Sequence, residues 1–229
     1  MADKNNDVML EVEEKWSRVE DYIQENKKSL STIGTIVVVL ILAFVAFNWW
    51  YLPGQEQDAE AAIVHAQRYF SEDSINKAIN GDAGSLGFEA IADQYSMTKA
   101  GKLANYYLGL CYYMKKDYNK SLEYLEKFNA KDVLVSPMAA GVMGDDEMQL
   151  NQTDKALEYY MTAVKRNDNE YTAPIFLKKA ALACEIKGDW AQAATLYETV
   201  KTQYHASQEA QDIDKYIARA KAKAGTAIN

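Results

Sequence analysis

Ala104-Asn105-Tyr106-Tyr107-Leu108-Gly109-Leu110-Cys111-Tyr112-Tyr113 and, two residues on, Lys116-Asp117-Tyr118-Asn119-Lys120-Ser121-Leu122-Glu123-Tyr124-Leu125-Glu126-Lys127-Phe128 set two helical patterns back to back. Their apolar residues recur at helical spacing, so each segment has one face to bury. Gly109 admits a close helix contact, and Leu108 and Tyr112 fill the seam beside it. The pattern then returns. Met143-Gly144 precedes Lys155-Ala156-Leu157-Glu158-Tyr159-Tyr160-Met161-Thr162-Ala163, and Ala180-Ala181 with Cys184 precedes Gly188-Asp189-Trp190-Ala191-Gln192-Ala193-Ala194-Thr195-Leu196-Tyr197. Aligned on the small residue of each second helix, Ala90, Ser121, Ala156 and Ala193 stand 31, 35 and 37 residues apart.

A period near 34 with paired helices is the mark of the tetratricopeptide repeat (TPR), and Leu108, Gly109 and Tyr112 occupy its L-G-x-x-Y places. The resemblance to that family covers residues 59 to 224. Each pair buries its apolar stripe only against its neighbours, so at least three units and a cap are needed. The expected units are 59–98, 102–136, 137–173 and 174–206, with a cap at 209–223 showing Ile213, Tyr216, Ile217 and Ala220 on one face. In the leading unit a helix from Ala59 to about Asn80 carries Ala62, Ile63, Ala66, Tyr69 and Phe70 on one side. It ends at the turn Asn80-Gly81-Asp82-Ala83-Gly84, and Phe88 to Tyr95 follows as the second helix. Asn129 to Ser136 is an insertion between repeats. The fold class is all-α, with about 3.5 to 4 repeats.

Upstream, no charged residue occurs between Lys28 and Glu56, and Ile33 to Leu52 is apolar enough to cross a bilayer. A hydrocarbon core about 30 Å thick takes roughly 20 such residues in a helix. Trp49, Trp50 and Tyr51 favour the headgroup region at one end, Lys27 and Lys28 lie at the other, and Pro53-Gly54 is expected to break the helix just beyond. Lys-rich on its N-terminal side and followed by Glu56, Asp58 and Glu60, the segment 29–54 is expected to be an uncleaved transmembrane signal anchor with the N-terminus in the cytoplasm. Residues 55–229 then form an extracytoplasmic domain. Residues 1–28 form an acidic cytoplasmic segment in which Val12, Trp16, Val19 and Ile23 recur at helical spacing. A membrane-surface helix should carry Lys and Arg on its polar face, and this one is acidic, so a protein contact is expected there.

The formal charge of -8 leaves no clustered basic face for nucleic acid. His65 and His205 are the only histidines and lie far apart, no metal-ligand spacing occurs, and no nucleophile elbow or phosphate-binding loop is found. No enzyme activity, metal or cofactor is expected. Adjacent carboxylates such as Glu13-Glu14 and Asp145-Asp146 point apart on a helix and read as solvated faces. Cys111 and Cys184 fall in first helices two units apart, too far to bridge, and are expected as buried free thiols.

The whole layout is similar to the YfgM-like family of membrane-anchored TPR proteins. That resemblance rests on the acidic N-terminal helix, the Glu25-Asn26-Lys27-Lys28 approach, the Trp49-Trp50 exit and the repeats beyond. It implies a non-enzymatic adaptor in a bacterial inner membrane, its bulk in the periplasm, beside the SecYEG translocon. The implied protein partners are SecYEG, a PpiD-type prolyl isomerase/chaperone and exported chains. A scaffold for another envelope machine, serving the outer membrane or cell wall, is the alternative. Carried over from the TPR family, the groove-lining positions are Leu103, Tyr106, Leu110, Tyr113 and Met114. Met138, Gly141, Asp145, Met148 and Gln149 follow, then Ile175, Lys178, Leu182, Glu185 and Ile186. This face is apolar enough to mark a partner site, unless the Ala59 helix or Glu209 to Lys223 fills it. Leu103, Tyr106, Tyr107 and Leu110 stand where a TPR that clamps C-terminal carboxylates has Lys and Asn, so that ligand class is not expected.

Overall fold

The computed structural model describes residues 15–18 and 22–226. Val12, Val19 and the Glu13-Glu14 pair lie outside the described residues. Two compact units, residues 1–54 and 55–229, divide the chain.

In the first unit, α1 (Lys27–Ala46) leads into a π-helical turn at Phe47–Tyr51. Its apolar side chains are exposed along its whole length, and it is the one helix among the described residues long and apolar enough to cross a membrane. Both of its threonines bond back to carbonyls one turn earlier. Thr32 Oγ1 donates to the Lys28 carbonyl, Thr35 Oγ1 to Ser31 and, in the π-helical turn, Asn48 Nδ2 to Phe44, each at 2.9 Å. Pro53 and Gly54 do not break the helix as expected. They lie at the start of α2 (Leu52–Ser71), directly after the π-helical turn, and the irregularity falls at Phe47–Tyr51 instead.

The second unit continues with α3 (Ile75–Asn80), a two-residue hairpin pairing β1 (Gly81–Asp82) with β2 (Ser85–Leu86), and α4 (Phe88–Gln94). Then come the pairs α5 (Lys99–Met114) with α6 (Tyr118–Lys127), α7 (Val135–Gln149) with α8 (Thr153–Arg166), and α9 (Ala173–Lys187) with α10 (Trp190–Gln203). A 3-10 turn at Gln208–Ala210 and α11 (Ile213–Thr226) close the stack.

One turn is built four times. The N–H of Lys116 donates to Tyr113 O and that of Asp117 to Tyr112 O, and the same two bonds recur at Asn151/Gln152, at Gly188/Asp189 and at Asp73/Ser74. This is the Schellman closure of a helix, and its first residue is left-handed in all four: Asp73 and Asn151 at φ 60, Lys116 at φ 62 and Gly188 at φ 80. Five residues beyond each lies a fully buried small side chain: Ala78, Ser121, Ala156 and Ala193.

That register corrects the leading unit. The helix expected from Ala59 to Asn80 stops at Ser71, because the closure at Asp73 ends it. The repeated small residue is Ala78 rather than the half-buried Ala90. The second helix of this unit is therefore split into α3 and α4 around the hairpin. Tyr69, donating its hydroxyl to Asp82 Oδ2 at 2.5 Å, holds the hairpin to α2.

Two buried clusters share the half-buried Leu103. One gathers Ile63, Tyr69, Phe88, Ile91 and Leu108 from α2, α4 and α5; the other runs from Leu125 and Met143 through Phe176 and Tyr197 to Ile213 and Ile217. A Cβ on Gly109 would overlap Leu125, and one on Gly144 would stand 2.5 Å from Tyr160 Cε1. These glycines let neighbouring helices meet. Glu56 of α2 accepts hydrogen bonds from the N–H groups of Lys99 and Ala100, capping α5 together with Thr98. The insertion at Asn129–Ser136 has a related purpose. Asp132 accepts from the N–H groups of Leu134, Val135 and Ser136 and so starts α7.

Candidate protein-interaction groove

The α7 and α9 helices open a cavity of about 520 Å³ with α8 and α10, lined by Met148, Leu182, Ile186, Trp190, Asp145, Glu185, Tyr160 and Lys179, among others. Its charged members are already engaged. Asp145 accepts the Tyr160 hydroxyl at 2.8 Å and both oxygens accept Lys179 Nζ, at 2.6 and 2.8 Å. Glu185 accepts Arg219 Nη2 at 2.6 and 2.8 Å and the Tyr197 hydroxyl at 3.2 Å. Burial, and then the Asp145 charge, raise the Tyr160 phenol far above its ordinary range, so it remains a donor. Both ion pairs join residues 34 apart, one repeat period, and so tie consecutive helical layers together.

What remains for contact is apolar. Ile186 is 65% exposed and Leu182 38%, beside the half-buried Met148 and Trp190. Of the expected groove residues, Asp145, Met148, Leu182, Glu185 and Ile186 converge here. Others do not. Leu103 and Met138 pack on the core, and Tyr106 is half-buried with its ring 5.5 Å from Phe128 and 5.6 Å from Tyr107, so the first part of the face is partly spent on internal packing. Ile175 lines a separate cavity of about 350 Å³ with Tyr171 and the Ala206–Glu209 turn. Leu110 and Tyr113 are half-buried, Tyr113 lying edge-on to Tyr118, and Met114 is exposed. Gly141 gives its space to Phe176, which a Cβ there would overlap.

The cap covers part of this face. Besides Arg219 on Glu185, Tyr216 of α11 receives Lys178 Nζ 5.0 Å above its ring. Lys178 and Glu185 are thus turned to the cap, while Leu182 and Ile186 stay open. Tyr160, Lys179 and Trp190 were not expected in the site. The 34-residue spacing of Asp145 and Lys179 is the signal that could have found the pair.

Outside this cavity, Trp16, Ile23, Lys27, Lys28, Trp49, Trp50 and Tyr51 are exposed. Cys111 and Cys184 are buried free thiols, and burial pushes the Cys111 thiol up to about 12. The adjacent carboxylates Asp145 and Asp146 are not a solvated face: Asp145 is half-buried in the cavity wall and Asp146 has no exposed surface.

Profiles of the tetratricopeptide repeat match residues 103–132 and 142–207. The folded unit has an all-helical fold like that of a tetratricopeptide-repeat solenoid. Its helices superpose on a solved structure titled as the crystal structure of MamA protein, with TM-score 0.52 and 15% identity over 72% of this chain and 91% of that one. They also superpose on a crystal structure of kinesin light chain nearly identical TPR-like repeats from Podosopora anserina, with TM-score 0.56 and 14% identity over 75% and 88%. At such identities the likeness is one of fold. No curated protein matches the sequence. TPR solenoids are protein-interaction scaffolds, and the cavity between α7 and α9 is one place where this one offers apolar surface.

Proposed function

We propose that this chain is a membrane-tethered TPR adaptor of a bacterial inner membrane, with residues 1–28 in the cytoplasm and the repeats in the periplasm. It serves as an accessory subunit of the SecYEG translocon together with a PpiD-type prolyl isomerase. Orientation is supported by Lys27 and Lys28 on one flank of the apolar helix and Glu56, Asp58 and Glu60 on the other. The α7–α9 cavity carries the adaptor reading, because its ion pairs are closed among themselves while Leu182 and Ile186 remain open. Such a surface meets an apolar segment of a partner at little electrostatic cost. Tethering raises the local concentration to about the millimolar scale for short linkers, so weak contacts suffice.

Photocrosslinking from Met148 and Ile186 in native membranes tests this. Adducts containing translocon or isomerase peptides support it. Adducts confined to an outer-membrane or cell-wall assembly transfer the adaptor to that machine, and absence of protein adducts at both positions overturns the use of this cavity.

A further inference from the structure

One repeat interface departs from its neighbours. At the seam between α6 and α7, Ser121 Oγ donates to Asp146 Oδ2 at 2.6 Å, both residues having no exposed surface, and Asp146 Oδ1 has no hydrogen-bond partner. By the register of the Schellman turns, the same two places hold Ala78 and Cys111 one unit earlier and Ala156 and Ala183 one unit later, all buried. The solenoid thus closes this seam with a hydroxyl and a carboxyl where its other seams use small apolar groups.

The surroundings offer an ionised Asp146 little. On its own helix, Asp145 is held by Lys179 of α9 and Tyr160 of α8, and Glu147 has Lys155 of α8 at 3.8 Å. Those two lysines are engaged with its neighbours, which surround Asp146 with like charge. From α5 the facing group is the half-buried Tyr113. From α6 it is Ser121, with Tyr118 donating to Gln149 at 3.4 Å. Burial first, then Asp145 and Glu147, push the Asp146 carboxyl up to about 7 against the pull of the Ser121 hydrogen bond. A buried charge with one hydrogen bond is relieved by admitting water.

We propose that Asp146 makes the α6–α7 seam proton-linked: closed while its carboxyl is neutral, and loosened when it ionises. A raised acid stabilises the closed form fully below its ordinary carboxylate range, and the benefit is lost as pH rises towards its native value. Opening of the seam therefore grows about tenfold per pH unit between about pH 4 and 7 and levels off above.

Amide hydrogen exchange along α6 and α7 in the full chain in lipid nanodiscs, corrected for intrinsic exchange, reads this out. The wild type should follow that profile. The double substitution Ser121→Ala with Asp146→Ala, which restores the apolar pair of the neighbouring seams, should flatten it. Should that protein fail to fold, Ser121→Ala alone should move the levelling-off to higher pH, since the ionised carboxylate loses the hydrogen bond that favours it. A flat wild-type profile, or the same profile in the double variant or unmoved in Ser121→Ala, overturns the proposal.

Discussion

Leu125 of α6 fills the space that a side chain on Gly109 of α5 would need. The two residues belong to one helix pair, and their contact sets how closely its helices approach. Gly109→Leu should therefore destabilise the domain by about 1 to 3 kcal/mol through overpacking, visible as a lowered melting temperature of the full chain. Gly225→Ala, at a helical position with nothing within 4 Å of the added Cβ, is the control and should not lower the melting temperature.

Lys116 closes α5 at φ 62, in a turn where Gly188 serves at φ 80. A non-glycine residue there is strained by about 1 kcal/mol, only part of which glycine's extra chain entropy offsets. Lys116→Gly should raise the melting temperature slightly, while Gly188→Lys should lower it. Equal effects of the two would contradict the shared turn geometry.

How much of this was legible in the sequence depends on which side chain carries the signal. Leu108, Gly109 and Tyr112 announce the repeat because their sizes are fixed by helix packing. The four Schellman turns did not, since only Gly188 shows the expected glycine and Asp73, Lys116 and Asn151 reach the left-handed region without it. For that reason the leading unit aligns on Ala90 in the sequence when Ala78 holds the repeated place. Asp146 was hidden differently. A carboxylate within Asp145-Asp146-Glu147 looks solvated until the facing Ser121 is known, and that residue comes from another repeat. Of the groove, Met148, Leu182 and Ile186 were legible from repeat position. The loss of Leu103 and Tyr106 to internal packing was not, because it depends on Phe128 and Tyr107 nearby.

Cys111 and Cys184 should be silent to thiol chemistry. Burial raises both thiols, the first to about 12, so neither presents thiolate near neutral pH. A maleimide at pH 7.5 should label the native chain at less than about a tenth of the rate seen in denaturant, where both react. Rapid labelling of the native protein would mean that the first helices open at these positions.

The claim on which everything turns is that the open apolar side of the α7–α9 cavity does the associating. Leu182→Asp combined with Ile186→Asp places charge on it without touching the Asp145–Lys179 or Glu185–Arg219 pairs. Recovery of the partner that crosslinks from Ile186, measured by affinity purification of the full chain from native membranes, should fall at least tenfold, about 1.4 kcal/mol of binding, with the melting temperature unchanged. Undiminished recovery by a normally folded double variant would contradict the account.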